Sequence, residues 1–232
     1  MPRRRPHDRL DQLIECAARV FTARGYRRTQ MADVARAMGV APGTLYLYVT
    51  SKAALFDLVV QRGFRDAALP PPRLPVRTPK PGATLKHVRQ RLAAGAELPA
   101  LAAAVAGGRP RDARAEFRAV VRELYATVAR NRRGIKLLER SALDWPELAA
   151  LYFQSMRGGL LAALTAYLQR RIDQRLFRPV PHTGVAARLI VEAVAYFAMH
   201  RHGDPDPVHA DEAAIEDTVL DALANAFVKE DT

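Results

Sequence analysis

Side chains suited to binding an acidic polymer are concentrated between Thr29 and Lys52. The stretch reads TQMADVARAMGVAPGTLYLYVTSK and combines threonine hydroxyls, tyrosine phenols and a lysine ammonium within one segment. Proteins direct these donor groups at phosphate oxygens. The sequence contains no nucleophile-elbow motif, no phosphate-cradling glycine loop and no HExxH zinc motif. The indicated chemistry is therefore binding, and we expect neither catalysis nor a cofactor or metal ion.

Two short helices joined by a tight turn would carry these side chains. Thr29 is a suitable N-cap for the first helix, in which an apolar stripe runs from Met31 to Met38. Gly39 is expected to end that helix, because glycine adopts the left-handed conformation at little cost. Pro42 suits the first position of the second helix, which we expect to continue to about Tyr48.

The second helix would bury one face and expose the other. Leu45 and Val49 are expected to be the buried anchors, which leaves hydroxyl and aromatic side chains for the outer face. Ser51 would cap a further helix with Lys52 in its first turn, where a positive charge opposes the helix dipole unless an anion is shared. A helix-turn-helix that enters the DNA major groove has this form. A small helical hairpin inside an all-α core fits the same features about equally well.

The region over residues 10–56 resembles the DNA-binding domain of the TetR family of bacterial transcriptional regulators. The matching residues, all in register, are 21–26, Thr29, 34–35, 39–40, 43–46, 48–49 and 51–56. The resemblance covers about a fifth of the chain. It implies an all-α protein with an N-terminal three-helix helix-turn-helix domain and a larger C-terminal helical domain for ligand binding and dimerisation.

The resemblance also implies which residues of the motif contact DNA. Thr29, Tyr48 and Lys52 are expected to bind phosphates, and Tyr46 is able to share that role. Base edges would be met at the start of the recognition helix by Pro42, Gly43, Thr44, Tyr46 and Leu47. None of these is Arg, Asn or Gln, so we expect modest direct base readout, supplemented by DNA shape.

Positive charge is concentrated in the same part of the chain. The protein has 36 Lys and Arg residues against 24 Asp and Glu, a formal net charge of +12. Residues 1–65 contain twelve of the basic and five of the acidic residues, a distribution that favours nucleic acid as a partner. Residues 2–9 form an arginine arm that either reaches the minor groove and phosphates or is a solvated tail. Its arginines are Arg3, Arg4, Arg5 and Arg9.

Cysteine content and hydropathy bear on the cellular compartment. A single cysteine excludes an internal disulfide framework and fits a reducing cytoplasm. The first residues lack the apolar region of a secretory signal, and no run of about 18 apolar residues is present. We therefore expect a cytoplasmic protein without a membrane partner.

The connection that follows the motif is rich in proline. A fourth helix is expected from Ser51 to about Ala68, followed by residues 69–82, in which six of fourteen residues are proline. We interpret this segment as a linker, partly polyproline II, with a docking site for a proline-recognition module as the alternative. The predicted division is 1–56 for the arm and helix-turn-helix domain, 57–82 for the connecting helix and linker, and 83–232 for the regulatory and dimerisation domain.

The remainder of the chain is expected to be nearly all helical. The predicted helices lie near 83–106, 111–131, 134–142, 146–176, 182–201 and 210–228. Aromatic and methionine side chains provide apolar surface for an effector: Phe117, Tyr125, Trp145, Tyr152, Phe153, Met156, Tyr196, Phe197 and Met199. A helical bundle also needs such residues for its core, so the core interpretation stays open for each of them.

Segments 182–201 and 210–228 each carry an apolar stripe that predicts a dimer interface. The stripes are Val185, Leu189, Val194 and Phe197, and then Ile215, Val219, Leu223 and Phe227. Two such helices from each subunit would form a four-helix bundle and present two recognition helices to a roughly palindromic operator. In the alternative, these helices close the core of a monomer.

Together these features predict a ligand-responsive, dimeric DNA-binding transcriptional regulator. The expected action is that of a repressor, released from its operator by a small apolar or aromatic effector. Two other classes fit parts of the sequence: a general DNA-binding or nucleoid protein, and an all-α small-molecule carrier with incidental positive charge. A sequence-specific footprint would argue against the first, and specific retardation of DNA would exclude the second.

Overall fold

Helices make up the regular structure of the chain, which a computed structural model describes over residues 6–63, 70–95 and 97–229. The helices are α1 (Pro6–Arg24), α2 (Met31–Met38), α3 (Pro42–Leu45), α4 (Lys52–Arg62), α5 (Ala83–Gly95), α6 (Pro99–Ala106), α7 (Ala113–Ala142), α8 (Pro146–Ala149), α9 (Gly158–Asp173), α10 (Thr183–Ala198) and α11 (Glu212–Phe227). A π-helical turn covers Ala150–Arg157 and a 3₁₀ turn covers His200–Gly203. The predicted all-α class is confirmed. No helix in the described ranges has the length and apolar character needed to cross a bilayer.

The described chain forms two compact units. The first unit combines the residues up to Ala94 with Arg133–Ser155, and the second combines Gly95–Arg132 with the residues from Met156 onward. These units differ from the ranges expected from the sequence, because residues 83–94 and 133–155 pack with the N-terminal helices. The functional division into a DNA-binding part and a regulatory part stays a prediction.

In the first unit, α1 packs against α2 and α4. Leu13 and Phe21 of α1, Val34 of α2 and Phe56 of α4 are almost completely buried. Apolar side chains at helical spacing give each of these helices one buried face. Burying a side chain of this size contributes roughly 1.5–3 kcal/mol. The three helices therefore form a packed platform for α3, the short helix that lies between α2 and α4 in the chain.

The N-cap of α2 differs from the prediction. The cap is Gln30, not Thr29. The Asp33 carboxylate accepts a 2.9 Å hydrogen bond from the Gln30 amide, which satisfies a donor at the start of the helix. The Thr29 hydroxyl is used elsewhere, since it donates to the Gly25 carbonyl at 2.7 Å. Thr29 therefore ties the start of α2 to the end of α1 instead of capping α2.

The end of α2 is formed by Gly39, as predicted. Gly39 has φ +71°, the left-handed conformation that side-chain-bearing residues rarely adopt. Its amide donates to the Arg36 carbonyl at 3.1 Å, and the Val40 amide donates to the Ala35 carbonyl at 3.0 Å. A Cβ at this position would meet no atom within 4 Å, so the requirement for glycine is conformational and not steric. This stop sets the direction in which the chain enters α3.

The second unit has its own apolar core, contributed by α6, the N-terminal part of α7, α9, α10 and α11. The ring of Phe117 on α7 lies edge-on to Phe177 at 5.5 Å and 6.0 Å from the ring of Phe227. Tyr167 on α9 joins the same group through Phe177 at 5.6 Å. Aromatic pairs in this geometry add about 0.5–1.5 kcal/mol to the burial of their area. Phe117, proposed above for effector binding, is thus part of this core.

A buried ion pair connects three helices of the second unit. Arg171 of α9 is fully buried and donates to both carboxylate oxygens of Glu116 on α7 at 2.8 Å. It also donates to the Ala104 carbonyl of α6 at 2.9 Å and to the Gln174 side chain at 3.0 Å. These bonds offset the cost of removing the guanidinium from water. The pair therefore fixes the register of α6, α7 and α9.

Several predicted helix bounds are wrong. The range 83–106 is two helices, with the second beginning at Pro99, a residue suited to a first turn. The ranges 111–131 and 134–142 are one helix, α7, which tolerates Gly134 in its interior at a cost of about 1 kcal/mol. The range 146–176 is interrupted by the π-helical turn, which ends where Gly158 begins α9.

The predicted interface stripe of α11 lies inside the second unit. Its members, Ile215, Val219, Leu223 and Phe227, are all buried. On α10, Val194 is buried, whereas Val185 and Leu189 are 64% and 57% exposed. The α11 stripe therefore closes the core of its own chain, because α10 and α7 already cover that face. Only part of the predicted α10 stripe is exposed for a partner.

Candidate nucleic-acid interface

The outer surface of α3 and of the turn that follows it is accessible. Leu45 and Val49 are fully buried, as predicted, and hold this segment on the platform of α1, α2 and α4. Tyr46 and Leu47 between them are 50% and 68% exposed. We define the α3 tip as Pro42, Gly43, Thr44, Tyr46 and Leu47, of which Thr44 is half-buried and the others are exposed. The predicted base-contacting residues therefore share one accessible surface.

The helical part of the tip is shorter than predicted. The α-helix ends at Leu45, and the chain continues as a tight turn to Tyr48. The amides of Tyr46, Leu47 and Tyr48 each donate to the carbonyl three residues earlier, at 3.0–3.3 Å. This 3₁₀-type pairing narrows the end of the segment. It keeps the tip ordered without a long helix.

Two of the predicted phosphate contacts lie in the interior. Thr29 is 1% exposed, and its hydroxyl is bonded to the Gly25 carbonyl. Tyr48 is 8% exposed. A side chain buried to this extent has little surface left for a phosphate at the groove edge. We therefore interpret Thr29 as a packing residue and Tyr48 as a support beneath the α3 tip.

Lys52 connects the start of α4 to the loop that precedes α2. Its Nζ donates to the Thr29 carbonyl at 2.9 Å and to the Arg27 carbonyl at 3.1 Å. The ammonium also lies 4.8 Å from the centre of the Tyr26 ring, a cation–π distance. Burial lowers the pKa of Lys52, partly offset by the negative charge of Asp144. An ammonium has three donors, so one N–H remains for an anion.

The backbone carbonyls explain why a lysine is tolerated at the N-terminus of α4. The helix dipole opposes a cation there. In the structure, two carbonyl oxygens and an aromatic face compensate the charge. A shared anion is thus not needed to stabilise Lys52. The cap itself is Ser51, as predicted, whose hydroxyl accepts from the Ala54 amide at 3.1 Å.

An aromatic cluster lies behind the motif within the first unit. Tyr26 is 4.8 Å from Phe56 and 4.9 Å from Trp145, measured between ring centres. Phe21 contacts Phe56 edge-on at 5.1 Å. Partial burial in this cluster raises the pKa of Tyr26. Trp145, predicted to contact an effector, therefore packs with the helices of the helix-turn-helix.

An ion pair joins α1 to α2 at the surface of the motif. Arg24 Nη1 lies 2.7 Å from a carboxylate oxygen of Asp33, and Arg36 lies 3.5 Å from the same oxygen. The hydrogen bond from the Gln30 amide, followed by the charges of the two arginines, lowers the pKa of Asp33. The negative charge at the N-terminus of α2 is thereby maintained.

The described part of the proline-rich segment is attached to this surface. We call residues 70–82 the strap. Val76 of the strap forms a parallel bridge with Val49. Sequence reasoning interpreted this segment as a linker and missed the attachment. The signal in the sequence is weak: Arg73, Arg77 and Lys80 recur every three or four residues without an acidic residue between them.

The comparisons with known proteins agree with this geometry. Residues 13–59 match the family model described as "Bacterial regulatory proteins, tetR family". The chain is 40% identical over 58 residues to the HTH-type transcriptional repressor KstR2 of Rhodococcus jostii (strain RHA1), which covers 25% of this chain and 28% of that protein. It is 38% identical over 60 residues to the KstR2 of Mycobacterium tuberculosis (strain ATCC 25618 / H37Rv). This alignment covers 26% of this chain and 30% of that protein.

The matched stretch contains α2, the α3 tip and Lys52. This N-terminal domain is of the TetR type. The alignment spans less than a third of the length of the KstR2 relatives, so their complete activities are not transferred by it.

Solved TetR-family structures share the fold over nearly the whole chain. The structure of the ketosteroid transcriptional regulator KstR2 of M. tuberculosis superimposes with a TM-score of 0.58 at 16% identity, covering 96% of both chains. The structure of AibR in complex with isovaleryl coenzyme A and operator DNA gives a TM-score of 0.54 at 19% identity, covering 94% of this chain and all of that one. At these identities the likeness establishes the fold.

The other residues proposed from the sequence fall into three groups: the arginine arm, effector candidates in the first unit and effector candidates in the second unit. Arg3, Arg4 and Arg5 of the arm lie outside the described residues, and Arg9 is exposed on α1. Trp145, Tyr152 and Phe153 belong to the first unit, whereas Tyr125, Met156, Tyr196 and Met199 belong to the second. In the second unit, the Tyr125 hydroxyl donates to the Phe197 carbonyl at 3.4 Å, and the Tyr196 ring lies 5.1 Å from that of Phe197. The nine residues considered for an effector thus divide between the two units, three in the first and six in the second.

Proposed function

We propose that this TetR-family chain is a ligand-responsive, dimeric DNA-binding repressor that acts in the cytoplasm and has no enzymatic role. The observation that carries the proposal is the α3 tip. Its side chains project from a short helix and the turn that follows it, a segment anchored by Leu45 and Val49 within the stretch that matches the family model. An accessible helix tip with exposed apolar and hydroxyl groups fits a major groove about 12 Å wide.

Base recognition by the tip would be modest. Thr44 offers a hydroxyl and a methyl group, while Pro42 and Leu47 offer apolar contact for thymine methyl groups. Tyr46 is exposed and able to donate to a phosphate or a base. Lys52 would add one phosphate contact through its third N–H, next to its two carbonyl partners. DNA shape would supply the rest of the specificity.

The effector is proposed to carry an apolar group that binds in the second unit. One TetR-fold relative of known structure is named for ketosteroids, and another was crystallised with isovaleryl coenzyme A. The candidate contacts within this unit are Phe117, Tyr125, Met156, Tyr196 and Met199, of which Phe117 and Tyr125 belong to the apolar core. The effector would act allosterically only if it binds the DNA-bound and the free conformations with different affinities.

The dimer is proposed to form through α10 and α11. Val185 and Leu189 give α10 an exposed apolar edge. On α11, the outer face carries the small residues Ala214, Thr218 and Ala222, which permit close helix packing. Two helices from each protomer would form a four-helix bundle and relate the two α3 tips by a two-fold axis.

Selection from a random-sequence duplex library tests the proposal directly. We expect the recovered sequences to share a roughly palindromic motif and to be retarded in gels by the purified protein. Footprints without a common sequence would instead favour a nucleoid protein, and no retardation at low salt would favour a small-molecule carrier. Thermal-shift measurements with isovaleryl coenzyme A and with a ketosteroid then test the effector class, because a ligand that binds the folded state raises the melting temperature.

A further inference from the structure

The strap is held against the C-terminal end of the recognition motif by main-chain hydrogen bonds. The Val76 amide donates to the Tyr48 carbonyl at 2.7 Å, and the Thr50 amide donates to the Val76 carbonyl at 2.9 Å. These two bonds surround the parallel bridge between Val76 and Val49. The strap is therefore an added extended element beside the α3 tip. A connector that only joins α4 to α5 would not need this pairing.

Three hydroxyl groups complete the attachment. The Thr78 amide donates to the Thr50 hydroxyl at 3.0 Å. The Thr78 hydroxyl lies 2.7 Å from that of Ser51, the residue that caps α4. The strap is thus bonded to the last residues of the recognition turn and to the first turn of α4. Through Ser51 the strap reaches the start of α4, where Lys52 is the next residue.

The strap presents positive charge only. Arg73, Arg77 and Lys80 are all exposed, and residues 70–82 contain no Asp or Glu. Within the described part of the chain, the side chains of these three residues make no hydrogen bond or ion pair with another residue. By contrast, Arg24, Arg28 and Arg36 near the motif are paired with carboxylates. The strap cations therefore remain accessible to an external anion.

The spacing along the strap keeps two of these cations close to the end of the recognition motif. Arg77 and Lys80 follow Val76 by one and four residues, so at about 3.3 Å per residue their Cα atoms lie within roughly 13 Å of the residue paired with Val49. A segment lying in the major groove has phosphates along both groove edges, about 12 Å apart. We propose that the strap is a second DNA-contacting element, in which Arg77 and Lys80 bind phosphates beside the half-site read by the α3 tip. This inference rests on the proposed function.

The proline content of the strap supports a binding role through entropy. Proline fixes φ, so this segment has few backbone conformations available before DNA arrives. A pre-ordered segment loses less conformational entropy on binding than a flexible loop does. The exposed cations of the strap are therefore held at a fixed distance from one another before binding. Phosphate contacts carry no sequence information, so the strap would add affinity and orientation to the modest base readout of the tip.

The double substitution R77Q/K80Q tests the assignment. We measure its affinity by fluorescence anisotropy across a salt series, with a duplex selected by the wild-type protein and with an unrelated duplex of equal length. The slope of log K against log salt changes by about 0.9 for each phosphate that the protein no longer binds, so the slope should become shallower by roughly 2. Affinity for both duplexes should fall about tenfold or more at low salt. Unfolding in urea should match the wild type, because both side chains are exposed and unpaired with other described residues.

Two further variants serve as controls. R77K/K80R keeps both charges and should retain the wild-type slope. If the shallower slope of R77Q/K80Q came from a structural change at these positions, R77K/K80R would show it as well. R175Q/R178Q removes the same net charge from two exposed arginines of the second unit and should leave the slope unchanged. A shallower slope in this control would attribute the effect to overall charge and overturn the assignment to the strap.

The outcomes separate this inference from the proposed function. If the wild-type protein binds the selected duplex and R77Q/K80Q binds it with the same affinity and slope, the strap is only a connector and the repressor proposal stands. If the wild-type protein binds neither duplex at low salt, the proposed function fails and the strap assignment fails with it. A reduced slope confined to R77Q/K80Q supports both.

Discussion

The Nζ atom of Lys52 lies 2.9 Å from the carbonyl oxygen of Thr29, so the first residue of α4 is bonded to the residue that precedes the N-cap of α2. The two helices that enclose the α3 tip are thereby joined across the motif. The family resemblance alone gives this lysine a role in phosphate binding. The structure adds a positioning role, because the same ammonium holds the loop before α2 in place.

We expect Lys52→Met to reduce the free energy of unfolding by about 1–3 kcal/mol, because the partly buried Thr29 carbonyl and the exposed Arg27 carbonyl lose their donor. Urea unfolding followed by the fluorescence of Trp145, the single tryptophan, measures this in the first unit. Lys86→Met, at an exposed position of α5 in the same unit, is the control and should change stability by less than about 0.5 kcal/mol. DNA affinity should fall for all sequences alike. Wild-type stability of the Lys52 variant would contradict the positioning role.

We expect Thr29→Val to lower the free energy of unfolding by about 1–3 kcal/mol, since the buried Gly25 carbonyl loses its 2.7 Å hydrogen bond while side-chain volume is kept. DNA affinity of the folded protein should not change, because the hydroxyl is not available to a phosphate. Thermal unfolding and anisotropy titrations measure the two properties. A weaker DNA affinity with unchanged stability would restore the phosphate contact expected from the sequence.

Thr44→Ala should alter base preference with little effect on folding. Removal of its hydroxyl and methyl groups should change discrimination at one or two base pairs by about 1–3 kcal/mol. Competition gel shifts with single-base variants of a selected operator measure this. Leu45→Ala is the contrasting variant: it empties a fully buried position and should cost roughly 2–5 kcal/mol of stability without a new preference. Unchanged preference of Thr44→Ala would exclude this docking of the tip.

Leu189→Arg should convert the proposed dimer to a monomer, because it places a charge on the exposed apolar edge of α10. Analytical ultracentrifugation measures the association state. Val208→Arg is the control, since Val208 is 59% exposed in the loop between the 3₁₀ turn and α11. A wild-type protein that sediments only as a monomer would remove the dimer from the proposal.

Asp33 should make stability depend on pH in the acid range. Its pKa is lower in the folded state, chiefly through the hydrogen bond from the Gln30 amide, so its contribution is fully present above the unfolded pKa of about 3.8. That contribution is lost as the pH falls through the folded pKa. Asp33→Asn keeps an acceptor but not the charge, so the stability difference from wild type should shrink as the pH decreases below about 4. Urea unfolding over a pH series measures it, and a constant difference would contradict the assignment.

Local signals in the sequence were sufficient to predict the helix ends and the buried anchors of the helix-turn-helix. Gly39 ends α2, Ser51 caps α4, and Leu45 and Val49 anchor the segment between them, all as predicted. Each feature depends on residues within about four positions, where backbone preference and helical spacing determine the outcome. The family match over residues 13–59 reflects the same local pattern.

Contacts between residues distant in sequence decided which of the predicted contact residues are buried and which are accessible. Thr29 and Tyr48 have side chains typical of phosphate contacts, yet packing buries both. The α11 stripe has the spacing of an interface, but α10 and α7 cover it within the same chain.

The sequence by itself thus determined the all-α class, the helix-turn-helix and the residues at its tip. The tertiary structure alone decided that the strap pairs with Val49, and that Trp145 packs against Tyr26. The physical reason is that residue type and spacing define which face of a segment is apolar. Which partner covers that face depends on long-range packing, and for the strap on main-chain hydrogen bonds that any sequence able to adopt an extended conformation can form.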